Sequence, residues 1–469
     1  MVMAAPILSA PVSGWRRARG ESSLSDVHRS IPIPQAVSFW RKMLAFAGPG
    51  FLVAVGYMDP GNWATDLQGG AQFGYALLSM ILISNFMAIL LQHLSVKLGV
   101  ATGRDLAQAC RDAYPMPVVG FLWVLCEIAI AACDLAEVIG SAIALKILFG
   151  IPMIWGCIIT CADVLAILYL QNRGFRIIEA LIITLIATIS VCFAIEIFWS
   201  GFGQDGFGGM LAGFVPHAAL LTNTQMLYVG IGILGATVMP HNLYLHSAIV
   251  QTRAFERTPT GKREAIKFAT IDSTTALMFA LLVNAAILIL AAAAFHWSGH
   301  SDVATIQDAY KLLTPLLGAG AAGIVFALAL LASGQNSTLT GTLAGQVVLE
   351  GFLHVRLAPW LRRLVSRLLA IVPAVIVVGI YGDKGADELL VLSQVILSMQ
   401  LGFAIWPLMR FTSDRQKMGE FVNALWLKIL GWATVAVVIL LNGKLLFDTI
   451  APDAMQKAVY GALHLPVPS

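Results

Sequence analysis

Residues 48–66 read Gly-Pro-Gly-Phe-Leu-Val-Ala-Val-Gly-Tyr-Met-Asp-Pro-Gly-Asn-Trp-Ala-Thr-Asp. The run is apolar enough to lie in a bilayer, yet Asp59, Pro60, Gly61 and Asn62 put a carboxylate, a missing backbone donor, a flexible residue and an amide at its centre. Proline removes an N–H and clashes with the preceding turn, and glycine loosens the chain further, so a helix is expected to unwind here. Carbonyls freed inside hydrocarbon are tolerated only where they line a polar cavity. Residues 235–246 read Gly-Ala-Thr-Val-Met-Pro-His-Asn-Leu-Tyr-Leu-His, and setting Pro240 on Pro60 brings Met239 onto Asp59 and Asn242 onto Asn62. Each break opens a block of five apolar spans. Five is odd, so the second block enters from the opposite face, which is the inverted repeat of secondary transporters with binding at the bilayer midplane.

Outward from these breaks, apolar stretches of the roughly 20 residues needed to cross hydrocarbon recur along the chain. They fall at about 45–70, 75–98, 117–147, 152–170, 176–200, 226–251, 269–297, 313–351, 364–381, 387–409 and 424–447. The expected fold is an all-α integral membrane protein of eleven transmembrane helices, a five-plus-five inverted-repeat transporter with unwound spans 1 and 6. Its divisions are a cytoplasmic tail (1–43), a first repeat (44–200), a second repeat (201–411), an extra span (412–447) and an extracytoplasmic tail (448–469). Met1–Ser13 has no basic residue ahead of its short apolar part, so no cleaved signal is expected.

The composition agrees. At 58% hydrophobic, 12% charged and a mean hydropathy of +0.81, the chain lacks the roughly 25% charged residues of soluble domains, which excludes a soluble enzyme. No ten-residue alternation supports a membrane β-barrel. A net charge of +3, without basic residues interleaved with aromatics, excludes a nucleic-acid partner. The six cysteines, Cys110, Cys126, Cys133, Cys157, Cys161 and Cys192, fall mostly in apolar runs and read as small buried residues.

With the N-terminus inside, 23 of the 29 Lys and Arg fall in inside connections, which fixes a cytoplasmic N-terminus and an extracytoplasmic C-terminus. Trp155, Trp199, Trp297, Trp360 and Trp406 lie near span ends, as interfacial anchors do. The sequon Asn336-Ser337-Thr338 lies within span 8 and reads as a polar packing patch. A multi-pass cell-membrane protein is expected, surrounded by lipid and monomeric.

The residues at the breaks describe a cation site. Asp59 offers an anionic oxygen, Asn62 a neutral one, unwound carbonyls near Gly56 and Ala236 two more, and Met239 a thioether. Oxygen cages suit Mg²⁺ and Ca²⁺, whereas sulfur favours softer first-row transition ions. The ion is a transported substrate, and no resident cofactor is expected.

At these residues the sequence resembles the natural resistance-associated macrophage protein family of divalent-metal and proton co-transporters. The resemblance runs over about residues 40–447. It rests on Asp59-Pro60-Gly61-Asn62, on Met239-Pro240-His241, on Asn172-Arg173-Gly174-Phe175-Arg176 with Glu179, and on Gly334-Gln335-Asn336-Ser337-Thr338 with Thr340-Gly341-Thr342. It implies uptake of Mn²⁺ or Fe²⁺ and a site built from Asp59, Asn62 and Met239, with Gln394 of span 10 joining the occluded ion. Relatives that carry Mg²⁺ or Al³⁺ lack the span-6 methionine, whereas Met239 is present here. Leu401-Gly402 stands where many relatives have Leu-Pro, so altered bending of span 10 is expected.

Span 3 places Glu127, Asp134 and Glu137 on one helical stripe, and acids in lipid need partners or water. Arg362, Arg363 and Arg367 of span 9 are the basic candidates. The set reads as a static ion-pair lattice or as a proton wire from Asp59 through Asp134 and Glu137, and the resemblance implies the wire together with His241. His246, five residues on, points elsewhere and is a weaker candidate. An amino-acid or other organic-solute transporter of the same fold would prefer small residues and free amides at the breaks. A channel would not need matched breaks in two halves, and no HExxH or membrane-placed GxSxG supports an intramembrane enzyme.

Overall fold

The computed structural model describes residues 14–34, 38–162, 205–297, 320–355 and 359–451, with separate positions within 177–195, 306–310 and 455–456. Helices dominate: α1 Phe39–Phe46, α2 Pro49–Ala54, α3 Pro60–Phe73, α4 Leu78–Thr102, α5 Leu106–Ala113, α6 Met116–Phe149 and α7 Met153–Ile159. These are followed by α8 Thr224–Thr237, α9 Pro240–Ile249, α10 Pro259–Ala291, α11 Gly320–Leu353, α12 Pro359–Thr412 and α13 Leu425–Ile450. Among the described residues six helical stretches are long and apolar enough to cross a bilayer. The expected spans 4, 5 and 8 lie partly outside the described residues.

The helices pack in an interleaved manner. α6 lies against both α11 and α12, α10 against α2, α3 and α4, and α8 against α3 and α12. Their facing sides are buried, while Phe121, Val124 and Ile128 of α6 and Ile429, Leu440 and Trp426 of α13 stay exposed. Contiguous apolar exposure of this kind marks a lipid-facing surface. Trp155 and Trp406 are exposed as expected of anchors. Cys110, Cys126, Cys133 and Cys157 are buried free thiols, and the side chains of Cys161 and Cys192 lie outside the described residues.

Spans 9 and 10 are parted within α12 at Gly382, whose backbone leaves the helical region (φ 67°, ψ −154°), and span 10 then runs on through Gly402. Glycine keeps the N–H that proline would remove, so the helical ladder at Gly402 is not interrupted. One expectation, that of a merely polar amino-terminal tail, needs correction. Trp15 is buried against Phe411, and the Arg104 guanidinium sits 4.6 Å over its ring. Ser23 Oγ donates to Asp105 at 2.7 Å, the Leu24 amide donates to Glu350 at 2.9 Å, and Ile31–Pro32 pairs in parallel with Arg253–Ala254. These residues strap one end of the bundle.

The start of span 1 is pinned from the same end. Asp272 accepts from the Gly50 amide at 2.7 Å, and Arg253 pairs with buried Glu179 at 2.8 Å while donating to the Ala47 carbonyl at 2.7 Å. Gly48 has φ 132°, and a Cβ there would lie 2.3 Å from the Glu179 carboxyl carbon, so both its backbone and its neighbours require glycine.

Candidate functional site

The first break has an identifiable local cause. α2 tightens into a 3₁₀ turn over Val55–Met58, and Asp59 leaves the helical region at φ −71°, ψ 167°. Asp59 is then the N-cap of α3: its Oδ1 accepts from the Asn62 amide at 2.8 Å, and Pro60 takes the first helical position, where no N–H is needed. At the second break α8 ends at Val238 (φ −106°, ψ 70°), and α9 starts at Pro240 behind an extended Met239. Methionine has no oxygen to cap with, and the turn is closed by the backbone, the Asn242 amide donating to the Met239 carbonyl at 3.2 Å.

Between the breaks, acceptors converge. Asn62 Nδ2 donates to Asp59 Oδ1 at 2.8 Å, to the Gly56 carbonyl at 3.2 Å and to the Ala236 carbonyl at 3.2 Å. Three oxygens from both halves of the chain thus point at one small positively polarised group. Asp59 Oδ2 has no hydrogen-bond partner among the described residues, although the residue is fully buried. Met239 is fully buried beside them, and a Cβ on Gly56 would stand 3.0 Å from its Sδ. Gln394 is adjacent, since a Cβ on Gly61 would fall 1.8 Å from its Nε2. Its Nε2 donates to Ser393 at 2.9 Å, and its Oε1 is without a partner among the described residues. The six expected ligand residues therefore share one locality. One carboxylate, one thioether and neutral oxygens are thus gathered in a donor set that carries a single formal charge. Among the described residues no three His, Cys, Asp or Glu side chains cluster as a metal centre.

The carbonyls freed at the first break are not left bare. Asn284 Nδ2 donates to the Tyr57 carbonyl at 2.9 Å and to Asn62 Oδ1 at 3.3 Å. Ser333 Oγ and Trp63 Nε1 both donate to the Met58 carbonyl. These supporting residues did not emerge from the sequence. An amide inside the apolar run Leu281–Leu290 was the available signal for Asn284, but sequence does not say which carbonyl it meets.

The acid stripe separates into two parts. Asp134 and Glu137 are fully buried facing α11, where a Cβ on Gly341 would stand 3.1 Å from Glu137 Oε1 and 3.3 Å from Asp134 Oδ1. Glu137 accepts from Ser337 and Thr338, each at 2.9 Å, and Arg367 Nη1 lies 3.4 Å from its Oε2. Arg367 Nη1 also donates to the Asp134 carbonyl at 3.3 Å, and its Nη2 donates to Thr338 Oγ1. The sequon residues Ser337 and Thr338 therefore serve Glu137. Glu127 lies two turns away, half-buried and accepting from Trp123 at 3.1 Å. The side chains of Arg362 and Arg363 lie outside the described residues. His241 is buried behind Pro240, its Nδ1 without a partner among the described residues. His246 joins a different chain of contacts, its Nδ1 2.9 Å from Gln92, whose Nε2 donates to the Tyr57 hydroxyl at 2.7 Å.

Such a bundle, with two helix breaks facing each other across a buried polar point, has the build of a membrane transporter. The chain belongs to the natural resistance-associated macrophage protein-like family, whose model matches residues 50–448. It is 63% identical over 428 residues to the divalent metal cation transporter MntH of Nostoc sp., covering 91% of this chain and 96% of that one. To its namesake from Listeria monocytogenes it is 60% identical over 436 residues, covering 93% and 97%. Among solved structures it matches the Eremococcus coleocola manganese transporter bound to an aromatic bis-isothiourea compound, with a TM-score of 0.83, 40% identity and coverage of 94% and 95%. The nucleobase-cation-symport-1 transporter MHP1, 14% identical with a TM-score of 0.59, shares the fold. The family's proteins are transporters, and this chain is not an enzyme.

Proposed function

We propose that the protein is a proton-coupled secondary transporter that imports divalent transition-metal ions, Mn²⁺ and also Fe²⁺, across the cell membrane by alternating access. The observation that carries this reading is the convergence of Asp59 Oδ1 and the Gly56 and Ala236 carbonyls on one point beside Met239. The names of the MntH relatives and of the Eremococcus manganese transporter support the substrate. In this reading the chain has eleven spans with the N-terminus in the cytoplasm and the C-terminus outside, and it works as a monomer.

The metal is the cargo. Asp59 and Met239 strip part of its hydration, Asn62 turns its amide oxygen inward, and Gln394 closes over the ion. α2 with α3, and α8 with α9, hinge at their breaks to expose the ion to each side in turn. The proton displaced from this locality passes to Asp134 and Glu137, where Arg367 balances the charge, with His241 between the metal and the acids. A negative interior, worth about 2.3 kcal/mol per charge per 100 mV, favours entry of the cation.

The test is uptake by purified protein in sealed vesicles with internal pH recorded, using Mn²⁺, Fe²⁺, Co²⁺, Cd²⁺, Zn²⁺, Mg²⁺ and Ca²⁺ in competition. Saturable Mn²⁺ entry with internal acidification is expected. Entry no faster than in empty vesicles ends the reading, and Mn²⁺ entry with no pH change removes its proton half.

A further inference from the structure

The strapped end of the bundle holds a cavity of about 230 Å³ that is separate from the midplane site. Its walls come from three segments: Arg19, His28 and Arg29 of the amino-terminal strap, the end of α4 around Gly103, and Arg253 and Arg257 of the α9–α10 connection with Lys262 in the first turn of α10. Six basic side chains line it, and none of the described lining residues is acidic. Two of the six are already engaged, Arg253 with Glu179 at 2.8 Å and Lys262 with the Ala101 carbonyl at 2.8 Å. Arg19 Nη2 donates to Ser22 at 2.9 Å, but its buried Nε has no acceptor among the described residues. Nor do Arg29 and Arg257 have an ion-pair partner among them.

The carboxylates acting on Arg19 are committed elsewhere. Asp105 is held by Ser23 and the Gln108 amide, and Asp112 by Arg104 and Arg111. Burial, then Arg257 and Arg104, therefore lower the Arg19 guanidinium from its ordinary value. Burial, then Arg19, Arg257 and Arg29, lower His28 in the same way. A cavity many times the roughly 15 Å³ that one water requires, with Arg19, Arg29 and Arg257 on its walls and no ion-pair partner for them among the described residues, suits an anion.

We propose that this cavity binds a phosphate-bearing anion of at least two negative charges, gripped by Arg19, Arg29 and Arg257 with Lys262 beside them. Guanidinium forks match phosphate oxygens two at a time, which suits walls that each contribute an arginine. Because the walls belong to the strap, to α4 of the first repeat and to the α9–α10 connection of the second, the anion ties both repeats to the tail. The chemistry is shared by two sources, a soluble polyphosphate and the headgroup of an anionic phospholipid at the membrane surface. The site is independent of the metal reading.

The test is thermal unfolding of the purified full-length protein titrated with pyrophosphate, at an ionic strength held constant with sodium chloride. A saturable rise in Tm is expected for the wild type, with affinity weakened about tenfold or more in Arg19→Gln/Arg257→Gln. Arg29→Gln alone weakens it less and keeps the test intact should the double variant not fold. Arg263→Gln, the same charge change on an exposed arginine paired with Glu420, leaves the affinity unchanged. Repeating the titration in nanodiscs of phosphatidylcholine with and without phosphatidylglycerol separates the sources. A pyrophosphate response abolished by phosphatidylglycerol assigns the site to the lipid headgroup, and one that persists assigns it to soluble phosphate. Equal affinity in the wild type and both cavity variants, no response in phosphatidylcholine, or a rise that sodium chloride alone reproduces overturns the proposal.

Discussion

Asp59 and Asp105 begin the same piece of local structure and end in different roles. Each is fully buried, each sits in extended backbone at a helix N-cap, and each accepts at 2.8 Å from the amide three residues on, that of Asn62 or of Gln108. At Asp105 both oxygens are used, Oδ2 taking the Ser23 hydroxyl at 2.7 Å, and the Leu106 amide that follows donates to Ser247 at 2.9 Å. At Asp59 the next residue is Pro60, which has no N–H, and Oδ2 keeps no partner among the described residues. The third positions differ too. Ala107 tolerates its methyl, whereas a methyl on Gly61 would run into Gln394. Capping a helix uses only one oxygen of a carboxylate, and the other is satisfied at Asp105 but left open at Asp59 among the described residues.

The largest expected effect comes from the same substitution made at each aspartate. Asn keeps the capping oxygen but removes the charge, so Asp59→Asn should lower Mn²⁺ uptake to below about one hundredth while Tm changes little, because ligand charge governs affinity. Asp105→Asn should retain uptake within about twofold, its charge lying outside the donor set. Comparable uptake in the two variants would erase the distinction.

Next is the group that completes each site. Met239→Ala removes the thioether, and competition assays should show Mn²⁺ entry weakened while Ca²⁺ and Mg²⁺ begin to compete. Ser23→Ala instead loosens the strap and should leave discrimination among metals as it is. Unchanged selectivity in Met239→Ala takes sulfur out of the account.

Gly61→Ala sharpens the third position. Overpacking costs about 1–3 kcal/mol, and because the clash falls on Gln394, Tm and metal affinity should fall together. A drop in Tm with affinity intact would mean that Gln394 does not meet the ion.

The smallest effect is a pH dependence at Asp105. Burial pushes its carboxyl up to about 6 from an ordinary 3.8, so the folded protein holds the proton more tightly than the unfolded chain. Stability from this group is present at low pH and declines as pH rises from about 4 to about 6. The Tm of wild type relative to Asp105→Asn should therefore fall across that window, and a relative rise would contradict the assignment.

Much of the candidate site was legible because its parts are coded locally. Asp-Pro-Gly-Asn and Met-Pro-His within apolar runs dictate where a helix stops, and the match of Pro60 with Pro240 marks the two stops as a pair. The supports were not legible. Asn284, Ser333 and Trp63 reach carbonyls of the first break from elsewhere in the chain or around the turn itself, and nothing in their spacing specifies a partner. Glu127 shows the reach of periodicity, which places it on the helical stripe of Asp134 and Glu137 but fixes only the angle around an axis and does not say that it accepts from Trp123. The tail was the poorest reading, since Trp15 and Leu24 find their partners on α11, α12 and the turn between α4 and α5 only after the bundle has formed.

From the linear chain alone came the lipid setting, the paired interruptions and the ligand types, since hydropathy, proline geometry and donor chemistry are properties of short segments. Three-dimensional packing alone decided which oxygens share a point, which acid meets Arg367 and where basic side chains from three segments enclose a cavity. Those are distances between residues far apart in sequence, and they are set by how whole helices lie against one another.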